Sequence, residues 1–172
     1  MAFLRSYNGR EPKVGEQAFL AETATLIGDV EVGARSSIWY GTVLRGDGYH
    51  IRIGEETSIQ DNSVVHVVSG NHPALVGSRV TIGHSVIIHG CTIGDACIIG
   101  MGAVVMDRAH IGDNCIVGAG ALVTPGTHIP TGHIALGSPA RARRALTPEE
   151  IEWIETSAAH YVEVAASYLA GG

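Results

Sequence analysis

The sequence predicts a mainly β fold: a parallel β-helix, in which the chain winds as a triangular prism with a short strand on each side and a turn at each corner. Three observations predict it. First, aliphatic residues recur about every six positions: Val14, Leu20, Leu26, Val32, Ile38, Leu44, Ile53, Ile59, Val65, Val76, Ile82, Ile88, Ile93, Ile99, Val105, Ile111, Val117, Val123 and Ile129. That period fits neither a helix face nor plain strand alternation, but it supplies one inward side chain to each side of a three-sided coil. Second, strand alternation also turns the residue two before each aliphatic inward, and that column is small or β-branched: Ala24, Val30, Ser36, Thr42, Ile51, Thr57, Ser63, Val80, Val86, Cys91, Cys97, Ala103, Ala109, Cys115, Ala121 and Thr127. Third, the residue after the aliphatic is often glycine, as at Gly15, Gly33, Gly54, Gly77, Gly83, Gly94, Gly100, Gly112 and Gly118, which suits corners whose backbone angles favour glycine. Six or so coils at about 4.8 Å each make a prism about 30 Å tall. Hexad prisms of known families wind left-handed, against the usual preference of parallel crossovers, and the same is expected here.

Residues 1–13 carry few signals and are expected to cap the first coil. The period then breaks twice: Leu44 to Ile53 is nine steps and Val65 to Val76 is eleven, so three and five residues are expected to loop out. Such insertions often mark function. The five steps from Ile88 to Ile93 remove one residue near Gly90, a tightened corner. After Ile129 the hexads stop, and Gly137-Ser138-Pro139 is expected to turn the chain away from the prism. Thr147-Pro148-Glu149-Glu150 then opens a helix with a capping hydroxyl, proline at the first helical position and Glu150 completing a capping box. The helix is expected to reach about Leu169, with Ile151, Ile154, Ala158, Tyr161, Ala165 and Tyr168 forming one apolar stripe for the prism or a neighbouring subunit. Gly171 and Gly172 are expected to fray. The chain thus divides into a β-helix domain, 1–136, and a connecting turn with a C-terminal helix, 137–172.

The formal charge is −6 and the 11 Lys plus Arg form no long basic run, which argues against a nucleic-acid or anionic-membrane partner. No apolar stretch has membrane-spanning length, and residues 1–15 lack the blocks of a secretion signal, so a cytoplasmic protein is expected. Cys91, Cys97 and Cys115 share the small inward column and read as core filler.

The chemistry lies in the exceptions to the glycine column. Arg45, Gln60, His66 and His89 each follow a marked aliphatic, with Asp47, Asp61 and His84 close behind. Corners are counted from Leu44 as first, Ile53 as second and Ile59 as third, with the insertions treated as loops. Val65 and Ile88 then return to the first corner and Ile82 to the third. Arg45, His66 and His89 therefore stack on successive coils, about 4.8 Å apart, where two imidazoles can share a metal. Asp61 and His84 stack on another edge. A homotrimer of side-by-side prisms would carry the His84 of a neighbour to His66 and His89, giving three imidazoles and an open position, the ligand set of a catalytic zinc. The same packing would bring Arg45 towards Asp61 as an ion pair; an ordinary structural salt bridge to Asp47 or Asp61 is the alternative. His50, His72, His110, His128, His133 and His160 read as surface or corner residues. Tyr161 reads as a core aromatic of the helix, with a catalytic role as the alternative.

Arg45-Gly46-Asp47, Ile59-Gln60-Asp61-Asn62, Val65-His66, Ile82-Gly83-His84 and Ile88-His89-Gly90-Cys91, with Gly100-Met101-Gly102 and Gly137-Ser138-Pro139-Ala140, resemble the gamma-class carbonic anhydrase family, over about Lys13 to Leu169. The resemblance implies a left-handed β-helix, a homotrimer, and a zinc ion (or ferrous or cobalt) at each interface, held by His66 and His89 of one chain and His84 of the next. It implies that Gln60 hydrogen-bonds the nucleophilic oxygen and that Arg45, Asp47 and Asp61 hold the interface. The reaction implied is reversible hydration of carbon dioxide to bicarbonate, because a divalent ion on three imidazoles lowers the pKa of its water to about 7. Tyr161, within Ala159-His160-Tyr161-Val162, resembles the helix tyrosine near the metal in the family's short-loop subgroup, with His160 where asparagine is more usual.

The chain departs from the archetype at its proton-transfer groups. Gly48 stands where the archetype has glutamate, and Val67 to Leu75 contains no Asp or Glu. Weak or absent hydration is therefore one expectation, with His72 a candidate shuttle. Two other readings stand beside the enzyme. One is a non-catalytic metal-binding or assembly subunit; the other is a hexapeptide-repeat acyltransferase with a single histidine as general base, which would leave Arg45, Gln60 and His84 idle.

Overall fold

A computed structural model describes residues 1–171, so the fraying expected of Gly172 lies outside the described residues. Three parallel ladders form the faces of a prism. The first face stacks Phe3–Arg5, the first part of Thr25–Val32, the first part of Val43–Ile53, Val64–His66, Ile87–His89, Val104–Val105 and Leu122–Val123. The second stacks Lys13–Val14, the later parts of the two long strands, Ala74–Val76, Thr92–Ile93, His110–Ile111 and His128–Ile129. The third stacks Phe19–Leu20, Ser37–Ile38, Ser58–Ile59, Thr81–Ile82, Ile98–Ile99, Ile116–Val117 and His133–Gly137.

Both inward columns are buried as the hexad pattern requires, with exceptions only at the ends. Val14 is 38% exposed and Leu20 half-buried, because they belong to the first coil and no earlier coil covers them; Thr127, on the last, is half-buried too. Ala135 pairs with Val117 and is fully buried. It continues the period one step past Ile129, hidden from the sequence reading because alanine is not a marked aliphatic. The small column has a second use. Ser36, Thr42, Thr57 and Ser63 donate their hydroxyls to the carbonyls of Gly54, Gln60, Gly77 and Gly83 on the next coil. Cys97 and Cys115 donate to Gly112 and Pro130 in the same way. All three cysteines are free and buried, and burial pushes the Cys91 thiol up to about 12.

The glycine column is needed for a different reason than the one expected. Gly33 and Gly54 do not have positive φ; a β-carbon on Gly33 would sit 2.5 Å from the backbone carbon of Gly54, and one on Gly54 just as close to Gly77. Coil stacking excludes the side chain. The left-handed conformation is instead taken at residues such as Arg35 (φ 55°), Glu56 (φ 55°) and Arg79 (φ 56°), two positions farther on.

Neither insertion is a free loop. The first is a bulge inside the unbroken strand Val43–Ile53: Gly46 pairs with Gly28, and the pairing resumes only at Ile51 with Val30. The second is a small hairpin closed by pairing of Val68 with His72, with Val67 buried at its base. The chain also stays on the prism past Gly137. Ala140–Ala145 runs back antiparallel along His133–Gly137 and ends the third face, where the sequence suggested only a connecting turn.

The helix Pro148–Leu169 starts with the complete Thr147/Glu150 capping box, and Arg144 holds Glu150 through two hydrogen bonds of 2.7 and 2.8 Å. It lies along the third face, burying Ile154, Ala158 and Ala165, while Thr81 and Ser157 join hydroxyls at 3.0 Å. Two members of the expected stripe are exposed. Ile151 lies at the start of the helix, and Tyr168 lays its ring 5.2 Å from Phe19 and Trp39 but keeps its outer side open. No helix among the described residues is long and apolar enough to cross a membrane.

Candidate metal centre

At the first corner, strand register aligns Arg45 with His66 and His66 with His89. His66 Nδ1 and His89 Nε2 approach to 3.1 Å. The other nitrogens face carboxylates: His66 Nε2 lies 3.1 Å from Asp47 Oδ1, and His89 Nδ1 is bonded to Asp107 Oδ1. Arg45 donates to the second oxygen of Asp47 at 2.6 Å. The electrostatics follow from this chain of contacts. Burial, only partly offset by the hydrogen bond to Asp47, pushes the His66 imidazole below its ordinary pKa. Burial works the other way on Asp47, but the hydrogen bonds from Arg45 and His66 outweigh it and hold the carboxyl below the usual range. His66 is therefore a neutral donor at neutral pH, the form a metal requires.

The third corner carries a second group. His84 Nδ1 lies 2.8 Å from Asp61 Oδ2. Gln60 is buried, and with His84, Met101, Trp153, His160 and Tyr161 it lines a cleft of about 470 Å³ between the helix and the third face. Burial, reinforced by the Asp61 charge, pushes the Tyr161 phenol up, so it remains a hydrogen-bond donor. One chain thus brings together Arg45, Asp47, His66 and His89 on one edge, and Gln60, Asp61, His84 and Tyr161 on another. It does not unite the three histidines. Among the described residues, no three His, Cys, Asp or Glu side chains are grouped to hold an ion.

The hairpin after His66 explains Gly48. Gly70 donates its amide to the Gly48 carbonyl at 3.0 Å, and a β-carbon on Gly48 would lie 2.9 Å from Ser69 Cα. The hairpin fills the space that a longer side chain at position 48 would need.

A family profile described as "Bacterial transferase hexapeptide (six repeats)" matches residues 73–107 and 90–125. A protein from Geobacillus kaustophilus named carbonic anhydrase is 44% identical over 164 residues, covering 95% of this chain and 90% of its own length. Gamma carbonic anhydrase 1 of Arabidopsis thaliana, a mitochondrial protein, is 48% identical over 166 residues, covering 94% of this chain. The chain belongs to the gamma-class carbonic anhydrase family. It spans 60% of the length of that Arabidopsis relative. Among solved structures, a hexapeptide transferase family protein from Anaplasma phagocytophilum matches with a TM-score of 0.93 at 44% identity, covering 96% of this chain and 98% of its own. A protein from Bacillus cereus titled putative acetyltransferase matches with a TM-score of 0.95 at 40% identity, covering 97% and 96%.

Within this gamma-class chain, the sequence reading missed Asp107. The signal was present. Asp107 lies two residues after Val105, and Val105 pairs with Ile88, so one more turn of the corner count places it beside His89.

Proposed function

We propose that this protein is a homotrimeric, metal-dependent carbonic anhydrase of the cytoplasm, hydrating carbon dioxide reversibly at sites shared by His66 and His89 of one chain and His84 of the next. The observation that carries this reading is the 3.1 Å convergence of His66 Nδ1 and His89 Nε2. Two nitrogens each about 2.05 Å from a tetrahedral zinc lie about 3.3 Å apart, so the pair fits one ion and leaves room for a third imidazole. Carboxylates behind both rings support the same reading, since they fix ring orientation and tautomer for metal binding. The outward row of the first face, Val64 and Ile87 at its centre, is apolar and 38% and 42% exposed, and it lies between the edge bearing His66 and His89 and the edge bearing His84. A second copy covering that row would meet it with the complementary edge. Three free cysteines, two of them on adjacent coils, favour a reducing compartment.

When bound, the ion supplies the acidity that makes water a nucleophile near neutral pH. Zinc suits three imidazoles with an open position, and ferrous or cobalt ions take the same donors. The chain's own residues do the rest. His66 and His89 present converging ring nitrogens, held from behind by Asp47 and Asp107. Gln60 offers a carboxamide from a buried backbone position beside His84, where it orients the attacking oxygen. Tyr161 keeps its proton and donates into the same cleft. Arg45 and Asp61 link the subunits, with Asp47 steadying Arg45.

Stopped-flow measurement of carbon dioxide hydration tests the reading, on metal-replete protein prepared without oxygen. The expected result is turnover with about one tightly held ion per chain. Metal without turnover would favour a binding or assembly subunit, a second reading supported by the hairpin that excludes a side chain at Gly48. Absence of both metal and turnover would contradict the proposal.

A further inference from the structure

We propose that His110 and His128 form a second transition-metal site on the outer surface of the second face. The two residues are direct register partners on adjacent parallel strands, so their backbones are about 4.8 Å apart and their side chains leave the sheet in the same direction. Both are exposed, with ring centroids 5.0 Å apart and planes at 84°. Both ring nitrogens of His66 and His89, and Nδ1 of His84 and His133, are engaged by other groups. Neither ring of the His110/His128 pair has a hydrogen-bond partner among the described residues.

Two free imidazoles at that spacing converge on one ion by side-chain rotation alone, without moving the sheet. The strands fix the backbone, so little order is lost on chelation. Nitrogen donors of this kind select Cu²⁺, Ni²⁺ or Zn²⁺ over Mg²⁺ and Ca²⁺, with copper held best. Only two protein ligands are supplied, so water completes the coordination and the ion exchanges readily. The neighbouring outward residue on the ladder is Thr92, which adds no carboxylate or third imidazole. The site therefore binds more weakly than a three-histidine centre, and it adds to the metal content of the chain independently of the first-corner histidines.

Copper titration of the full-length protein tests this. The protein is first loaded with zinc, and bound copper is followed by electron paramagnetic resonance. The wild type is expected to take up one more Cu²⁺ per chain than either His110→Ala or His128→Ala, with a nitrogen-coordinated signal absent from both variants. Both positions are exposed, so circular dichroism is expected to be unchanged. Equal copper uptake by the wild type and both variants would overturn the proposal. Loss in only one variant would also overturn it, because that result describes a lone imidazole.

Discussion

The first and second faces of the prism have the same interior and opposite exteriors. Inside, both bury branched aliphatics, such as Leu44, Val65 and Ile88 on one and Ile53, Val76 and Ile93 on the other. Outside, the first face carries Thr25, Val43, Val64, Ile87, Val104 and Leu122 in register. The second carries Glu31, Arg52, Leu75, Thr92, His110 and His128. The third face shows what an apolar exterior ordinarily requires. Its Ile98 and Ile116 are 7% and 5% exposed because the chain packs over them, whereas Ile87 is 42% exposed in the single chain. Under the proposed function, this apolar row between the edge bearing His66 and His89 and the edge bearing His84 is the surface that another copy covers, while the more polar second face stays outside that contact.

This contrast yields its largest predicted effect in assembly. Ile87→Asp would bury a charge in the subunit contact and is expected to convert trimer to monomer, read by light scattering. Thr92→Asp, at the matching outward position of the second face, is expected to leave the trimer intact. If both variants remain trimeric, the contrast between the faces does not govern association. Next in size, His84→Ala is expected to abolish metal binding at every shared site with an unchanged β-sheet circular dichroism signal, because His84 lies on an edge and in no core column. Asp107→Ala is expected to weaken zinc binding about 10- to 100-fold, with Asp107→Asn partly restoring it as a neutral acceptor for His89 Nδ1; chelator competition measures both. Gly48→Ala would press on the Ser69 backbone and is expected to cost about 1–3 kcal/mol in denaturant unfolding.

The smallest effect concerns the cover of the third face. Arg144 holds the Glu150 carboxyl well below its ordinary value, at about 2, and the Thr147 amide adds to it. A depressed carboxylate stabilises the folded state above its unfolded pKa, near 4.5, and that contribution disappears as pH falls towards 2. The helix is therefore expected to loosen over that window, seen as increased quenching of Trp39 and Trp153, and Glu150→Gln is expected to flatten the dependence.

The interior of this fold was legible in the sequence because coil geometry repeats the same demand every six residues. Leu44, Val65 and Ile88 therefore announced one corner across two insertions. The third corner was equally readable through Ile59 and Ile82. Features set by contacts between coils were harder to read. The glycines at 33 and 54 looked like turn formers, yet they are required by the close approach of the next coil, which leaves no trace in local backbone preference. The bulge at Asp47–His50 and the hairpin at Val67–His72 looked like loops because a spacing count does not reveal pairing. Asp107 escaped because the corner count ended at the last histidine. Ala140–Ala145, with three arginines in six residues, has no inward column to mark it as a strand.

The sharing of each metal between chains is tested most directly by subunit complementation. Chains carrying His84→Ala supply an intact first corner, and chains carrying His66→Ala supply an intact third corner. Neither variant alone is expected to bind zinc at the shared site. Co-expressed, they form mixed trimers in which some interfaces regain all three imidazoles, and zinc measured on purified mixed trimers is expected to return. Mixed trimers that remain as empty of zinc as either parent would contradict a site assembled from two chains.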